Sequence, residues 1–172
     1  MQTGYKVMDI MTNKPITASR DMTLKDAALL MEKDNVNSLL IVENDMPMGI
    51  VTDEDMVRKC VAKGLDSKKL RLKDIASSDL TTITPDKDVY DALILMRDNN
   101  IRQLPVVLNK KLEGFLTLKD ILKIQPELID LVVEKYEVRE ESRKMQELEK
   151  LGEDDGSGGF FSRLKIRKNK KR

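Results

Sequence analysis

The feature that most constrains this chain is an internal repeat. When the 172-residue sequence is shifted by 65 positions, residues 9–55 align with residues 74–120 without a gap, and fifteen of the 47 positions are identical. A gapless match of this length indicates a duplicated domain. Because about 60 residues are too few for a large core, the two halves are expected to pack against each other. The identical pairs include Asp9/Asp74, Thr17/Thr82, Gly49/Gly114, Thr52/Thr117 and Asp55/Asp120.

Each repeat has the same predicted order of elements, β-α-β-β-α, which is an α+β unit with a small sheet covered by helices on one side. Thr23 and Asp88 are typical N-cap residues, because their side-chain oxygens accept the unpaired N–H groups of a first helical turn. The buried face of the first helix is predicted to contain Leu24, Ala27, Ala28, Leu30 and Met31. The predicted elements of repeats 1 and 2 are a lead-in (7–11 and 72–76), a strand (15–18 and 81–84), a helix (23–34 and 88–99), a strand (39–42 and 104–108), a turn (44–45 and 109–110), a second strand, and a closing helix (53–62 and 118–124).

Composition excludes several classes of function. Cys60 is the single cysteine, so an internal disulfide and a cysteine-based zinc site are both excluded. The chain has no histidine, which removes the usual general base and the usual metal ligand. Met31, Met96 and Cys60 are interpreted as core residues rather than ligands. Because the usual catalytic and metal-binding side chains are missing, we expect no catalytic or metal site and a protein that is not an enzyme. No stretch resembles a signal peptide or a membrane span, so we also expect the protein to be cytoplasmic.

Candidate binding chemistry lies where the second strand of each repeat meets the closing helix. Residues 49–55 and 114–120 share the spacing Gly-x-x-Thr-x-x-Asp. A helix N-terminus carries unpaired N–H groups and partial positive charge, so the Thr hydroxyl either caps these groups or meets a phosphate oxygen. One turn later, the Asp carboxylate can accept both hydroxyls of a ribose. The alternative is that Thr and Asp merely cap the helix, but the duplication favours a nucleotide site.

Both repeats resemble cystathionine-β-synthase (CBS) domains, and the pair resembles one Bateman module. The resemblance covers roughly residues 5–125. It is carried by Val-Met-Asp-Ile-Met-Thr at 7–12, Asn-Ile-Arg-Gln-Leu-Pro-Val-Val at 100–107, and the two Gly-x-x-Thr-x-x-Asp junctions. It implies two clefts between repeats related by pseudo-two-fold symmetry, which bind adenosine compounds such as AMP, ADP, ATP or S-adenosylmethionine. It further implies a regulatory sensor that forms a homodimer and signals to a protein partner. The domains are then expected at 5–64 and 70–125, followed by a C-terminal helix at 126–151 and a linker with a basic tail at 152–172.

The resemblance also implies which residues form each cleft. In the first cleft, Asp120 would bind the ribose, Thr117 would lie on the phosphate side, and Arg102 would reach phosphate. Lys119 would add a second positive charge there. The other residues expected at this cleft are Leu118 and Asn37, together with Ile16, Thr17 and Val36, which would enclose the base. The second cleft would use Asp55 and Thr52, with Thr82 and Ile101 around the base.

The two clefts differ in charge. Lys119 and Arg102 favour an anionic phosphate chain in the Asp120 cleft, whereas residues 53 and 54 beside Asp55 are both acidic. Like charge disfavours a polyphosphate in the Asp55 cleft, unless Mg²⁺ or a cationic ligand such as S-adenosylmethionine compensates. We therefore predict that the ligand binds in the Asp120 cleft. The alternatives are a solvated surface charge for Lys119 and a salt bridge with a nearby acid for Arg102.

The C-terminal region carries a separate charge signal. Residues 127–151 follow a helical pattern in which Glu mixes with Lys and Arg, and residues 152–159 contain four glycines, which is typical of a flexible linker. Residues 160–172 hold seven Lys or Arg and no acid, so subtracting this +7 from the net +1 leaves −6 for residues 1–159. The basic tail predicts a contact with nucleic acid or an anionic surface. The alternatives are a membrane interface, favoured by Phe160-Phe161, or a solubilising disordered end.

Overall fold

The computed structural model describes residues 2–128 together with Val133 and Met145. The chain divides into two units, residues 1–126 and residues 127–172, and the first unit holds both repeats. Pro126–Leu128 form a single 3₁₀ turn, and Val133 and Met145 are helical. The rest of the predicted C-terminal helix, the linker and the basic tail lie outside the described residues.

The described part of the chain has a mixed α+β architecture in which the two repeats follow the same order. A 3₁₀ turn at Val61–Lys63 ends repeat 1. Repeat 1 contains α1 (Val7–Ile10), β1 (Thr17–Ala18), α2 (Leu24–Asp34), β2 (Ser38–Glu43), β3 (Met46–Thr52) and α3 (Asp53–Lys59). Repeat 2 contains α4 (Leu72–Ile75), α5 (Val89–Asn99), β4 (Gln103–Leu108), β5 (Lys111–Thr117) and α6 (Leu118–Ile124).

The sheets of the two repeats share their hairpin register. β2 pairs antiparallel with β3, and β4 pairs antiparallel with β5, each with a bulge at the same place in the repeat. Both hairpin turns place two residues at positive φ, as the predicted turns at 44–45 and 109–110 require. In repeat 1, β1 adds a short parallel strand beside β2.

The predicted strand at 81–84 is wrong in extent, because it is reduced to one parallel bridge between Ile83 and Val106. In repeat 1, Leu40 donates its N–H to the carbonyl of Ile16 at 3.3 Å and extends the pairing of β1. The matching residue in repeat 2 is Pro105, which has no N–H to donate. The ladder therefore ends after a single bridge.

The long helices begin at the predicted caps. Thr23 Oγ1 accepts the N–H of Asp26 at 3.1 Å, and the Asp88 carboxylate accepts the N–H of Tyr90 at 2.8 Å. Both helices end at an asparagine in the left-handed region, φ 52° in repeat 1 and φ 56° in repeat 2. Asparagine tolerates this conformation better than most residues, so it provides a C-terminal stop.

Two helix predictions need correction. Leu24, Ala27 and Met31 are buried, but Ala28 is exposed because it lines an open groove between α2 and the end of α3. The closing helix of repeat 1 stops at Lys59 instead of residue 62, since the chain tightens into the 3₁₀ turn and then turns at Gly64 with φ 63°.

The lead-in helix α1 packs on repeat 2 rather than on the repeat that it precedes. The N–H of Val7 donates to the carbonyl of Lys87 at 2.8 Å. Thr12 forms an isolated antiparallel bridge with Phe115, with N–H···O distances of 2.8 and 2.9 Å. Because Val7 is fully buried, residues of repeat 1 complete the core of repeat 2.

Helix α4 makes the converse contact with repeat 1. The N–H of Leu72 donates to the carbonyl of Met22 at 2.9 Å, and Ser77 forms an isolated bridge with Ile50 of β3. Leu72 and Ile75 are buried in one cluster with the apolar residues of α2, β2 and β3. The two repeats are therefore joined by an exchange of their lead-in helices.

Candidate functional site

The Thr-x-x-Asp spacing forms the same local structure in both repeats. At the junction of β3 and α3, Thr52 Oγ1 accepts the N–H of Asp55 at 3.1 Å, and the Asp55 carboxylate accepts the N–H and the hydroxyl of Thr52 at 3.0 and 2.8 Å. At the junction of β5 and α6, Thr117 and Asp120 repeat these three bonds at 3.3, 3.1 and 2.6 Å. Each pair is a capping box, so the capping interpretation is confirmed. The box also fixes the direction of each carboxylate.

Capping leaves one oxygen of each carboxylate for a further partner. In both residues, Oδ2 makes the capping bonds, and the side chains remain partly accessible, at 20 % for Asp55 and 22 % for Asp120. A carboxylate that is held by one oxygen and reachable at the other is suited to accept hydroxyl groups from a ligand. The geometry is therefore compatible with both the capping role and the ribose-binding role.

The Asp55 carboxylate has a close internal cation. Lys59 Nζ lies 2.8 Å from Asp55 Oδ1 and donates to the carbonyl of Ile75, the last residue of α4, at 2.7 Å. Burial raises the pKa of Asp55, but hydrogen bonds from Lys59 and Thr52 outweigh this effect and lower the pKa below its ordinary value. Sequence reasoning missed Lys59, although its i, i+4 spacing from Asp55 was a usable signal.

The surroundings of Asp120 are more open. Lys123 Nζ lies 3.9 Å from Asp120 Oδ1, and its side chain is 63 % exposed. Lys119 is also exposed and lies on the same helix. In repeat 1, the matching pair is Glu54 and Arg58, which form an ion pair with each other. Helix α6 therefore presents two cations beside its carboxylate, where α3 presents a balanced pair.

The residues that precede the central strands lie next to these junctions. The N–H of Leu118 donates to the carbonyl of Arg102 at 2.8 Å, which places Arg102 beside the start of α6. In repeat 1, the N–H of Asp53 donates to the carbonyl of Asn37 at 3.0 Å, and Asn37 Nδ2 donates to Asp53 Oδ2 at 2.8 Å. Asn37 therefore lies close to the acidic group of the Asp55 junction.

The structure brings the predicted cleft residues together in groups that belong to single repeats. Arg102, Thr117, Leu118 and Asp120 adjoin one another in repeat 2. In repeat 1, Thr17 pairs with Leu40 of β2, while Ile16 and Val36 are partly buried against the apolar core.

The residues predicted for the second cleft divide between the repeats in the same way. Thr52 and Asp55 form the junction of repeat 1, whereas Thr82 and Ile101 belong to repeat 2. Thr82 is exposed and Ile101 half-buried. Across the two repeats, β3 contacts β5, and the carbonyl of Asp45 accepts the N–H of Leu112 at 2.8 Å. The assignment of these groups to shared clefts stays a prediction.

The glycines of the two junctions have a packing role that sequence reasoning missed. A Cβ atom on Gly114 would lie 2.5 Å from Met11 Sδ and 3.0 Å from the carbonyl oxygen of Thr12. A Cβ atom on Gly49 would lie 3.2 Å from the carbonyl oxygen of Ser77. Because these glycines have no side chain, the lead-in segment of the other repeat can pack directly against the strand that leads into each Thr-x-x-Asp junction.

The described residues offer neither a metal-binding cluster nor a membrane-spanning helix. Within residues 2–128, Val133 and Met145, no group of three or more Cys, Asp or Glu side chains is arranged to bind a metal ion. Within the same residues, no helix is long and apolar enough to cross a membrane.

Comparison with known proteins identifies relatives that are similar to this chain in sequence. An uncharacterized protein of Methanopyrus kandleri is 35 % identical over 146 residues, which cover 84 % of this chain and 71 % of the relative. The CBS domain-containing protein YhcV of Bacillus subtilis is 33 % identical over 115 residues, which cover 67 % of this chain and 81 % of the relative.

Solved structures with the same fold include ligand complexes. The CBS domain pair of protein MJ0100, in complex with 5′-methylthioadenosine and S-adenosyl-L-methionine, is 30 % identical with a TM-score of 0.65, covering 72 % of this chain and 97 % of that chain. A hexameric CBS-CP12 protein from bloom-forming cyanobacteria is 30 % identical with a TM-score of 0.64, covering 69 % of this chain and 66 % of that chain.

The family model of the CBS domain matches the chain twice, at residues 7–62 and 72–127. Both matches contain a capping box at the strand-to-helix junction, and each includes a lead-in helix that packs on the other repeat. The expected resemblance is confirmed, and this chain belongs to the CBS domain family as a tandem pair.

Proposed function

We propose that this protein is a regulatory module that binds an adenosine-containing ligand at Asp120 and signals to a protein partner. CBS domain pairs are generally regulatory rather than catalytic, and the pair of MJ0100 was solved with two adenosine compounds. The observation that carries the proposal is the environment of Asp120. Its Oδ2 is fixed by Thr117, while its Oδ1 faces an exposed lysine at 3.9 Å. A ribose can replace such a long, solvent-screened contact at small cost.

The charge around Asp120 favours a phosphorylated ligand. Lys119 and Lys123 lie on the same helix as Asp120, α6. Arg102 adjoins Leu118, the first residue of this helix. Each cation near a phosphate contributes on the order of 1 kcal/mol at a solvent-exposed site. We therefore favour AMP, ADP or ATP over S-adenosylmethionine for this cleft. At the Asp55 cleft, the acidic neighbours Asp53 and Glu54 disfavour these anionic ligands.

A thermal-shift panel of AMP, ADP, ATP, S-adenosylmethionine, 5′-methylthioadenosine and NAD tests the proposal. A ligand at about 100 times its dissociation constant stabilises the fold by roughly 2.7 kcal/mol, which raises Tm by roughly 5–10 °C in a chain of this size. We expect this shift in the wild type and in Asp55→Asn, and its loss in Asp120→Asn. The two substitutions are matched, because each leaves an oxygen to accept the capping bonds. The absence of a shift with every compound would overturn the proposal.

The module is further proposed to act as a homodimer. Apolar side chains of α2 and α3 remain exposed in repeat 1, with Leu29 at 51 % and Val57 at 57 %. Exposed apolar side chains on neighbouring helices favour association, and the family resemblance implies pairing of like modules. The hexameric CBS-CP12 protein shows that one relative assembles into a larger oligomer.

A second candidate function rests on the sequence of residues 160–172. Seven cations without an acid, set against a net charge of −6 in residues 1–159, favour an electrostatic contact with nucleic acid. Binding of duplex DNA by the full chain should then weaken by roughly 10³-fold between 50 and 200 mM salt and vanish when residues 160–172 are removed. Binding that is insensitive to both changes would overturn this candidate.

A further inference from the structure

Lys59 makes two short contacts, one within α3 and one to α4. Its ammonium lies 2.8 Å from Asp55 Oδ1 and donates to the carbonyl of Ile75 at 2.7 Å. The Lys59 side chain is 38 % exposed, and that of Asp55 is 20 % exposed. Because a charge-assisted hydrogen bond of this length is among the stronger polar contacts in proteins, Lys59 is held from two sides.

With Lys59 in place, both oxygens of Asp55 are occupied. Thr52 donates its N–H and hydroxyl to Oδ2, and Lys59 donates to Oδ1. Each carboxylate oxygen has two lone pairs, so a ribose whose two hydroxyl groups both donate to Oδ1 must displace Lys59 from it. If the ammonium also leaves the carbonyl of Ile75, that partly buried acceptor loses this donor, which adds a further cost.

The second repeat has a different residue at the corresponding place. The 65-residue shift aligns Lys59 with Ile124, whose side chain has no hydrogen-bond donor. Asp120 Oδ1 instead faces Lys123 at 3.9 Å, and this lysine is 63 % exposed. The capping bonds and the exposure of the two carboxylates are otherwise alike. At Oδ1 of the two carboxylates, the short cation contact therefore depends on one side chain, Lys59.

We propose that Lys59 is an internal cation that occupies the ribose-binding oxygen of Asp55 and thereby restricts adenosine binding to the Asp120 cleft. This inference rests on the proposed function, since it concerns which of the two clefts accepts the ligand. It assigns a selectivity role to a residue of α3 that lies one helical turn after the Thr-x-x-Asp junction. The role depends on the charge and length of the side chain.

Calorimetric stoichiometry tests this role, with AMP as the anionic probe and 5′-methylthioadenosine as the uncharged probe. The wild type should bind one molecule of either probe per chain, and Lys59→Ile, which copies repeat 2, should bind a second molecule of the uncharged probe. Arg58→Ile is the matched control, because Arg58 pairs with Glu54 instead of Asp55, and it should still bind one. In Lys59→Ile/Asp120→Asn, one site should remain, whereas Asp120→Asn alone should have none.

A second variant and a ligand-free measurement keep the test decisive if Lys59→Ile does not fold. Lys59→Gln removes the charge but retains an amide that can donate to the carbonyl of Ile75, and it should also gain the second site. NMR titration of the carboxyl groups should show that the pKa of Asp55 rises in Lys59→Gln and stays low in Arg58→Ile. A purely structural role for Lys59 predicts no gain of a site in any folded variant.

The outcomes separate this inference from the proposed function. Two sites in the wild type, or one site in a folded Lys59→Gln, would overturn the role of Lys59 and leave adenosine binding in place. Failure of all variants to bind either probe, together with no thermal shift from any compound of the panel, would overturn the proposed function, and the role of Lys59 with it. One site in the wild type and two in Lys59→Ile would support both.

Discussion

At Gly114, the strand β5 passes so close to the chain around Met11 that a methyl group has no room. A Cβ atom at this position would meet Met11 Sδ at 2.5 Å and the carbonyl oxygen of Thr12 at 3.0 Å. The sulfur lies on a flexible side chain that can move, but the carbonyl belongs to the bridge between Thr12 and Phe115. Gly114 is therefore required by the packing of the lead-in segment.

The substitution Gly114→Ala is expected to lower the free energy of unfolding by roughly 1–3 kcal/mol, which is the usual cost of overpacking. Gly49→Ala is the matched control, because its nearest contact is longer, at 3.2 Å to the carbonyl of Ser77, and it should cost less. Both substitutions reduce the entropy of the unfolded chain equally, so the difference between them reports the contact. Urea denaturation measures both values, and an equal loss in the two variants would contradict a steric role for Gly114.

Asp55 and Asp120 show at the same scale how one motif acquires two environments. Their capping bonds are alike, but a lysine contacts Asp55 at 2.8 Å, and another lies 3.9 Å from Asp120. The Thr-x-x-Asp spacing was sufficient to predict both caps. It was not sufficient to predict which carboxylate has a close internal cation, because that depends on side chains one turn further along each helix.

At the scale of elements, the exchange of α1 and α4 makes each repeat depend on residues from the other. α1 contacts β5 and α6, whereas α4 contacts α3. Val7 and Leu72, the first residues of the two helices, are both fully buried. Each repeat is expected to open more readily when the lead-in helix that it receives from the other repeat is weakened, because neither repeat has a complete core by itself.

The variant Val7→Ala is expected to destabilise repeat 2 before repeat 1, although Val7 precedes repeat 1 in the sequence. Loss of buried methyl groups at such a site costs on the order of 1–3 kcal/mol. Hydrogen exchange should therefore accelerate first in β5 and α6. Leu72→Ala provides the mirror control and should accelerate exchange first in α3 and the strands beside it. If hydrogen exchange in Val7→Ala accelerated only in repeat 1, this result would contradict the packing of α1 on repeat 2.

Local signals explain which parts of these elements were predictable. Thr23 and Asp88 cap the long helices, and the turns at 44–45 and 109–110 adopt positive φ, because these features depend on side chains a few residues apart. Which repeat a helix packs on depends on residues far away in the sequence. The sequence pattern therefore predicted the position of α1 along the chain but did not indicate that α1 packs on repeat 2. The strand predicted at 81–84 failed for a related reason, since Pro105 acts from a neighbouring strand.

At the scale of the whole molecule, apolar exposure is unequal between the repeats. Leu29 is 51 % exposed and Val57 is 57 % exposed, whereas their counterparts in repeat 2, Ile94 and Leu122, are half-buried. A groove of about 320 Å³ between α2 and the end of α3 is lined by Leu29 and Val61. Repeat 1 therefore presents the larger apolar surface for a second copy of the chain.

We expect the wild type to form a dimer at micromolar concentration and Leu29→Glu to be monomeric. A carboxylate buried at the interface without a partner costs several kcal/mol, and a loss of about 2 kcal/mol already weakens association roughly 30-fold. Leu108→Glu is the control, because Leu108 is comparably exposed, at 44 %, but ends β4 in repeat 2; it should stay dimeric. Light scattering on a size-exclusion column gives each mass. A single-chain mass for the wild type would rule out the dimer, while a dimeric Leu29→Glu would place the interface elsewhere.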